Sequence, residues 1–266
     1  MKKFVSIVLA ALCMGATLVG CSKANANATD WEYIKNKNEM VVGITLYEPM
    51  NYYDENGKLI GFDTEFAEEV SKITGVPVKF QEIEWDQKEV ELKSKAIDCI
   101  WNGLTVTEER KANMAFSTSY VVNEQVVVIN KSNQDKYTSL ADMDGIKVCA
   151  ESGSAGESAI QADPHLSTGN YLGVSAQKDA LLEVKAGTCD AAVLDLTLAK
   201  AVINEDTDYN DLLILYGASL QSEEYAIGFR LEDTETVKTV NDAIAQLLAN
   251  GKLAELGEKY GVDVIK

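Results

Sequence analysis

The chain has 266 residues, 46% of them hydrophobic, with 42 acidic against 24 basic side chains and a formal net charge of −18. That length holds one large domain or two of ordinary size. So large an excess of acid repels nucleic acid and anionic lipid headgroups, which excludes both as partners. A single histidine, His165, leaves little material for a Ser-His-Asp relay or a histidine-rich metal site.

The chain opens with Lys2 and Lys3, an apolar run over 4–11, and the ending Leu18-Val19-Gly20-Cys21. A short basic start, a brief hydrophobic run and small residues before a break describe a secretory leader rather than a spanning helix, which needs about 20 apolar residues. The ending resembles the bacterial lipobox, which implies that residues 1–20 are removed and that Cys21 is lipidated. Losing two lysines and no acid takes the net charge to about −20. Residues 22–30 are small, polar and unpatterned, so 21–30 is expected to be a tether from the lipid.

Beyond the tether, apolar β-rich runs alternate with helical patterns. Residues 40–45 read as a strand, and Glu55-Asn56-Gly57 is a hairpin turn signal. Asp63 is expected to cap a helix whose apolar positions Phe66, Val70 and Ile73 recur at three and four residues, with Gly75 ending it. A strand over 76–83, a helix over 87–94 and a strand over 97–101 follow. This order predicts a parallel sheet covered by helices.

The pattern changes at 120–124, and a new strand is expected over 125–130. Strands over 146–150, 171–174 and 190–194 then alternate with helices from 156 and over 178–186. A strand over 212–216 leads to 225–229, and helices over 234–249 and after Gly251 finish the chain. The expectation is two α/β lobes, 31–120 with 225–266 and 121–224, joined by two crossing strands at 120–124 and 221–225. Ligands of such sheets lie beyond the carboxyl ends of the strands, so the cleft between lobes is the default site. Cys99, Cys149 and Cys189 each adjoin an apolar run and read as buried thiols. A Cys149–Cys189 bridge is open if their strands are neighbours.

Several strings resemble the extracellular solute-binding proteins of family 3, the amino-acid-binding proteins of ABC importers. They are Gly57-Lys58-Leu59-Ile60-Gly61-Phe62-Asp63, the run Gly103-Leu104-Thr105-Val106-Thr107-Glu108-Glu109-Arg110, Phe116-Ser117 with Tyr120, Ser152-Gly153-Ser154, and the run from Cys189 to Asp195. The tail from Gly251 to Gly261 matches as well, with Tyr260 where the family has tryptophan. The resemblance implies an α/β, type II periplasmic-binding-protein-like fold of two lobes that closes by a hinge on a free amino acid. It also implies delivery to an ABC permease, an extracytoplasmic location held by lipid, and a monomer without cofactor, metal or catalytic residue.

The chemistry of such a ligand sets what the site must hold. Carboxylate and ammonium both lose water on enclosure, so the site needs a fixed cation and a fixed anion. By resemblance, Arg110 takes the carboxylate with a planar fork, helped by Ser154 and the N–H groups of Ser154 and Ala155 near a helix start. Asp195, the Gly103 carbonyl and the Thr105 hydroxyl would accept from the ammonium. For Arg110 the rival reading is a surface position in a charged run, and for Asp195 a helix cap.

Tyr47 and Trp85 match positions of aromatic walls, with a core role as the alternative. Asn102 and Glu151 are candidates for selectivity. A carboxylate at 151 would suit a polar or cationic side chain, although it could equally be solvated. No second cation is evident, which argues against an acidic ligand. Two other classes stay open: an enzyme on the same fold, similar to cyclohexadienyl dehydratase, and a ligand-sensing module for a receptor.

Overall fold

The computed structural model describes residues 29–218 and 220–265. The expected leader, Cys21 and most of the expected tether lie outside the described residues.

Thr29 and Asp30, assigned to the tether by composition, belong to the folded lobe. Thr29 caps the helix Asp30–Lys37 in a capping box with Glu32. The Asp30 carboxylate accepts from Thr236 N at 2.7 Å and so ties this helix to the start of the helix Thr234–Ala249. A short polar run looks like a linker until a distant partner for its carboxylate is found.

The first sheet is ordered Val78–Glu82, Met40–Ile44, Cys99–Ile100, Gly228–Phe229, Ala115–Phe116. The first three strands run parallel, as the alternating pattern predicts, and the last two pair antiparallel. The sheet is therefore mixed, because Gly228–Phe229 returns from the second lobe in the opposite sense. The hairpin Tyr52–Tyr53 with Leu59–Ile60 turns through Gly57, whose φ of +75° suits glycine.

Asp63 does not cap its helix. Gly61 holds that position in the helix Phe62–Thr74, and the Asp63 carboxylate, fully buried, accepts from Gly103 N at 2.7 Å and Tyr120 Oη at 3.0 Å. Burial pushes its pKa up to about 7. The acid thus fixes the backbone at the cleft from behind. Phe66 and Val70 are buried beneath it, whereas Ile73 is substantially exposed. Phe66 sits edge-on to Trp101 and to Tyr120, with ring centroids 4.9 and 5.2 Å away.

The second sheet is ordered Leu212–Ile214, Val121–Asn130, Ala191–Asp195, Lys147–Glu151, Asn170–Val174. Gln221–Tyr225 also pairs with Val121–Asn130, antiparallel, in the register Tyr225↔Val121 to Gln221↔Gln125. These two strands are the crossings between the lobes. Val121–Asn130 is one continuous ten-residue strand, so no break separates crossing from sheet at residue 125. The C-terminal segment holds the same crossing, with Val122 N bonded to Asp263 O and Ile265 N to Tyr120 O, each at 2.9 Å.

Cys149 and Cys189 lie on and just before parallel neighbours, since Ala192 is opposite Cys149. The condition for a bridge is met, yet both are buried free thiols, as is Cys99. Burial, with each thiol beside the other, pushes Cys149 far above the ordinary thiol value.

Phe66→Ala should destabilise the protein by about 3–5 kcal/mol through the cavity left under Trp101 and Tyr120. Denaturant unfolding measures this, and a loss below about 1 kcal/mol would show that the aromatic cluster does not carry the first lobe.

Candidate ligand site between the lobes

One cavity between the lobes is lined by all ten residues singled out from the sequence: Tyr47, Trp85, Asn102, Gly103, Thr105, Arg110, Glu151, Ser154, Ala155 and Asp195. Thr45, Leu46, Gln177 and Leu198 complete the lining. Each wall begins where a strand ends, so the topology rather than any single motif assembles the site.

Arg110 lies on the short helix Glu108–Lys111, capped by Thr107, whose side chain accepts from Arg110 N at 3.1 Å. Its guanidinium is buried, 8% exposed, which disposes of the surface reading. Nη1 donates to Thr105 O at 2.8 Å and Nη2 to Gly153 O at 3.2 Å. Among the described residues, no carboxylate lies within ion-pair distance of it. Burial lowers its pKa from the ordinary arginine value, with Glu223 and then Asp195 opposing that shift. The second arginine, Arg230, is buried too, but it pairs with Asp233 at 2.8 Å.

Asp195 ends the strand Ala191–Asp195 and stands at the N-cap position of the helix Leu196–Val202. Its side chain makes no cap hydrogen bond. Instead it accepts from Asn123 Nδ2 at 2.7 Å, Gln125 Nε2 at 2.6 Å and Gln177 Nε2. Three amide donors hold a buried carboxylate in place without neutralising it.

Gly103 has a φ of +58°, and a Cβ there would meet the Tyr47 ring at 2.5 Å. Only glycine fits between Tyr47 and the cleft. Thr105 donates its hydroxyl to Glu223 Oε1 at 2.8 Å. Tyr47 and Trp85 are both buried and both line the cavity, so wall and core describe the same surfaces. The Tyr47 and Tyr225 hydroxyls lie 2.6 Å apart.

Asn102 reaches the cavity, but its amide is fully engaged. Oδ1 accepts from Thr45 N and Thr45 Oγ1 at 3.1 and 2.7 Å, and Nδ2 donates to Thr45 O and Asn51 Oδ1 at 2.9 and 2.7 Å. It shapes the loop after Met40–Ile44. Ser154 caps the helix Ala155–Ala162 by accepting from Glu157 N, and its own N–H is bonded to Glu151 O at 3.1 Å. Of the two backbone donors expected here, the Ser154 amide is therefore already taken.

Glu151 is 3% exposed, so it is not solvated. Burial first, and Asp195 next, raise its pKa to about 8. Lys88, missed in the sequence, is a second buried cation near the cleft, although Arg110 is the one basic residue among those lining the cavity. Lys88 is 4% exposed and donates to Trp85 O at 3.0 Å and to Gly153 O, across the cleft, at 2.9 Å. Its ammonium stands 4.7 Å from the Trp85 ring centroid. Burial, with Arg110 nearby, lowers its pKa to about 8. Lys178 and Glu48 form another contact between the lobes at 2.8 Å.

Two lobes, a cleft with a fixed cation and fixed anions, and paired crossing strands define a type II periplasmic binding protein. The chain belongs to the bacterial extracellular solute-binding proteins, family 3, whose model matches residues 40–263. It is 32% identical to the L-cystine-binding protein TcyA of Bacillus subtilis (strain 168), over 98% of this chain and 96% of that protein. A variant of arginine-bound ArgBP from T. maritima is similar in structure, with a TM-score of 0.74 and 32% identity over 81% of this chain and 99% of its own. The ancestral amino acid-binding protein AncCDT-1, a precursor of cyclohexadienyl dehydratase, has a TM-score of 0.78 and 27% identity over 88% of this chain and 99% of its own.

The raised carboxyl groups set a pH dependence. Between about pH 5 and pH 7, folded Asp63, Glu151 and Glu223 retain protons that the unfolded chain, with ordinary values near 4, has released. The folded state binds more protons there, so its stability should fall as pH rises through that window. Lys88 is charged in both states below about pH 8 and adds no slope. Thermal melting without added amino acid measures this, and a midpoint that climbs from pH 5 to pH 7 would contradict the burial of these acids.

Proposed function

We propose that this protein is the substrate-binding component of an ABC importer for a polar or cationic L-amino acid, acting as a binder and not as an enzyme. The observation that carries the reading is a buried Arg110 with no carboxylate partner among the described residues, in the same cavity as the buried Asp195. Arg110 takes the α-carboxylate as a bidentate pair. Asp195, Thr105 and the Gly103 carbonyl take the α-ammonium. Closure of the lobes about Val121–Asn130 and Gln221–Tyr225 brings the two ends together, and the loaded protein delivers its cargo to a membrane permease. Cys21 is the proposed lipid attachment, which keeps the binder at the outer face of the membrane.

Charge supports the ligand class. Among the buried groups around the cleft, three acids, Glu151, Asp195 and Glu223, face two bases, Arg110 and Lys88, and burial biases Glu151 and Glu223 toward their protonated forms. A basic side chain beside Glu151 favours its ionised form and gains a counter-charge, whereas an acidic one meets another carboxyl group. Glu151, with no hydrogen-bond partner for its side chain among the described residues, is the group that meets the distal end of the ligand.

Arg110→Ala should weaken amino-acid binding by about 3–5 kcal/mol, a hundredfold or more, because the enclosed carboxylate and Asp195 are left unbalanced. Calorimetric titration measures it, and affinity kept within threefold would end that role. A thermal-shift screen over the twenty amino acids, ornithine and cystine should show stabilisation by polar or basic members. A shift with acidic amino acids alone would overturn the ligand class.

A further inference from the structure

Glu223 lies on the returning crossing strand Gln221–Tyr225, is 6% exposed, and is absent from the cavity lining. Its Oε1 accepts three hydrogen bonds, from Thr105 Oγ1 at 2.8 Å, Asn123 Nδ2 at 2.7 Å and Gln125 Nε2 at 2.9 Å. Its Oε2 is buried with no partner among the described residues. The same two amide nitrogens also donate to Asp195 Oδ1, at 2.7 and 2.6 Å. Two buried carboxylates therefore share one pair of donors.

Like charges gathered on the same amides repel, and the interior offers little screening. Burial first, and Asp195 next, raise Glu223 to about 7. Neither carboxylate has a lysine or arginine within ion-pair distance among the described residues. A pair of this kind lacks one cation.

The bond from Thr105 gives Glu223 a second effect. A hydroxyl has one proton and two lone pairs. Once Thr105 gives its proton to Glu223, its oxygen can only accept toward the cavity. An α-ammonium has three donors and no acceptor, so an oxygen held in the accepting role matches it.

We propose that Glu223 is a positioning residue for the ligand ammonium: it locks the Thr105 hydroxyl as an acceptor and, with Asp195, leaves a two-carboxylate seat that one cation completes. Thr105 belongs to the first lobe, Asp195 ends a strand of the second, and Asn123 and Glu223 face each other in register on the two crossing strands. Arrival of the ammonium is thus felt at the hinge itself. This inference rests on the reading that the ammonium binds at Asp195 and Thr105.

The test is calorimetric titration of the full chain and of Glu223→Gln, Thr105→Val and the double variant. The probe is the tightest binder among the twenty amino acids, ornithine and cystine, beside the same acid lacking its α-amino group. Glu223→Gln should weaken the amino acid at least tenfold and change the deaminated acid less than threefold. Adding Thr105→Val to Glu223→Gln should cost less than Thr105→Val costs alone, since part of the effect of Glu223 passes through that hydroxyl. An equal loss for both probes, or two losses that multiply fully, would reduce Glu223 to a structural role. Unchanged affinity in Glu223→Gln would overturn the proposal while leaving the amino-acid reading intact. Absence of any amino-acid binding by the parent protein would instead end both. Should Glu223→Gln fail to fold, Thr105→Val carries the same comparison, and an equal loss for the two probes again refutes it.

Discussion

Charges of both signs buried around one cleft, and not neutralised by each other, constrain everything else in this molecule. A protein interior tolerates such groups only when hydrogen bonds hold them and a counter-charge is supplied. Arg110 leans on the carbonyls of Thr105 and Gly153, and Asp195 on three side-chain amides. These neutral partners fix position without cancelling charge. The proposed ligand, a molecule that brings both signs, would supply that counter-charge, and the neutral partners hold the walls in place for it.

The scaffold supplies that preparation from behind. Asp63 holds the Gly103 amide and the Tyr120 hydroxyl at once, which links the binding loop to the first crossing strand. The aromatic cluster of Phe66, Trp101 and Tyr120 packs against the same region. On the other side, the Val121–Asn130 strand carries Asn123 and Gln125 toward Asp195 while it passes between lobes. Support for the site and connection between the lobes are thus one set of residues.

Much of this was legible in the sequence, chiefly because the strings that resemble family 3 carry the residues that line the cleft, several of them just after apolar strands. The structure gathers all ten of the singled-out residues at one cavity. What escaped has physical reasons. Lys88 stands in a charged helical run that reads as a solvated face, and only the approach of Gly153 from the other lobe buries it. Glu223 lies in a polar strand, Gln-Ser-Glu-Glu-Tyr, where period-two alternation could have aligned it with buried Tyr225. Asn123 and Gln125 alternate in the same way along Val121–Asn130. Asp63 looked like a cap because local spacing cannot reveal a partner forty residues away. Asn102 drew notice for adjoining Gly103, yet its amide serves Thr45 and Asn51.

The early start of the first helix bears on the proposed lipid attachment at Cys21. The helix cap at Thr29 is separated from Cys21 by only seven residues of sequence, 22–28. Seven residues of any chain, fully stretched, reach about 25 Å. If Cys21 carries the proposed lipid, a binder leashed that closely would explore a thin shell above the bilayer instead of a volume, and its encounters with the proposed permease would become a two-dimensional search.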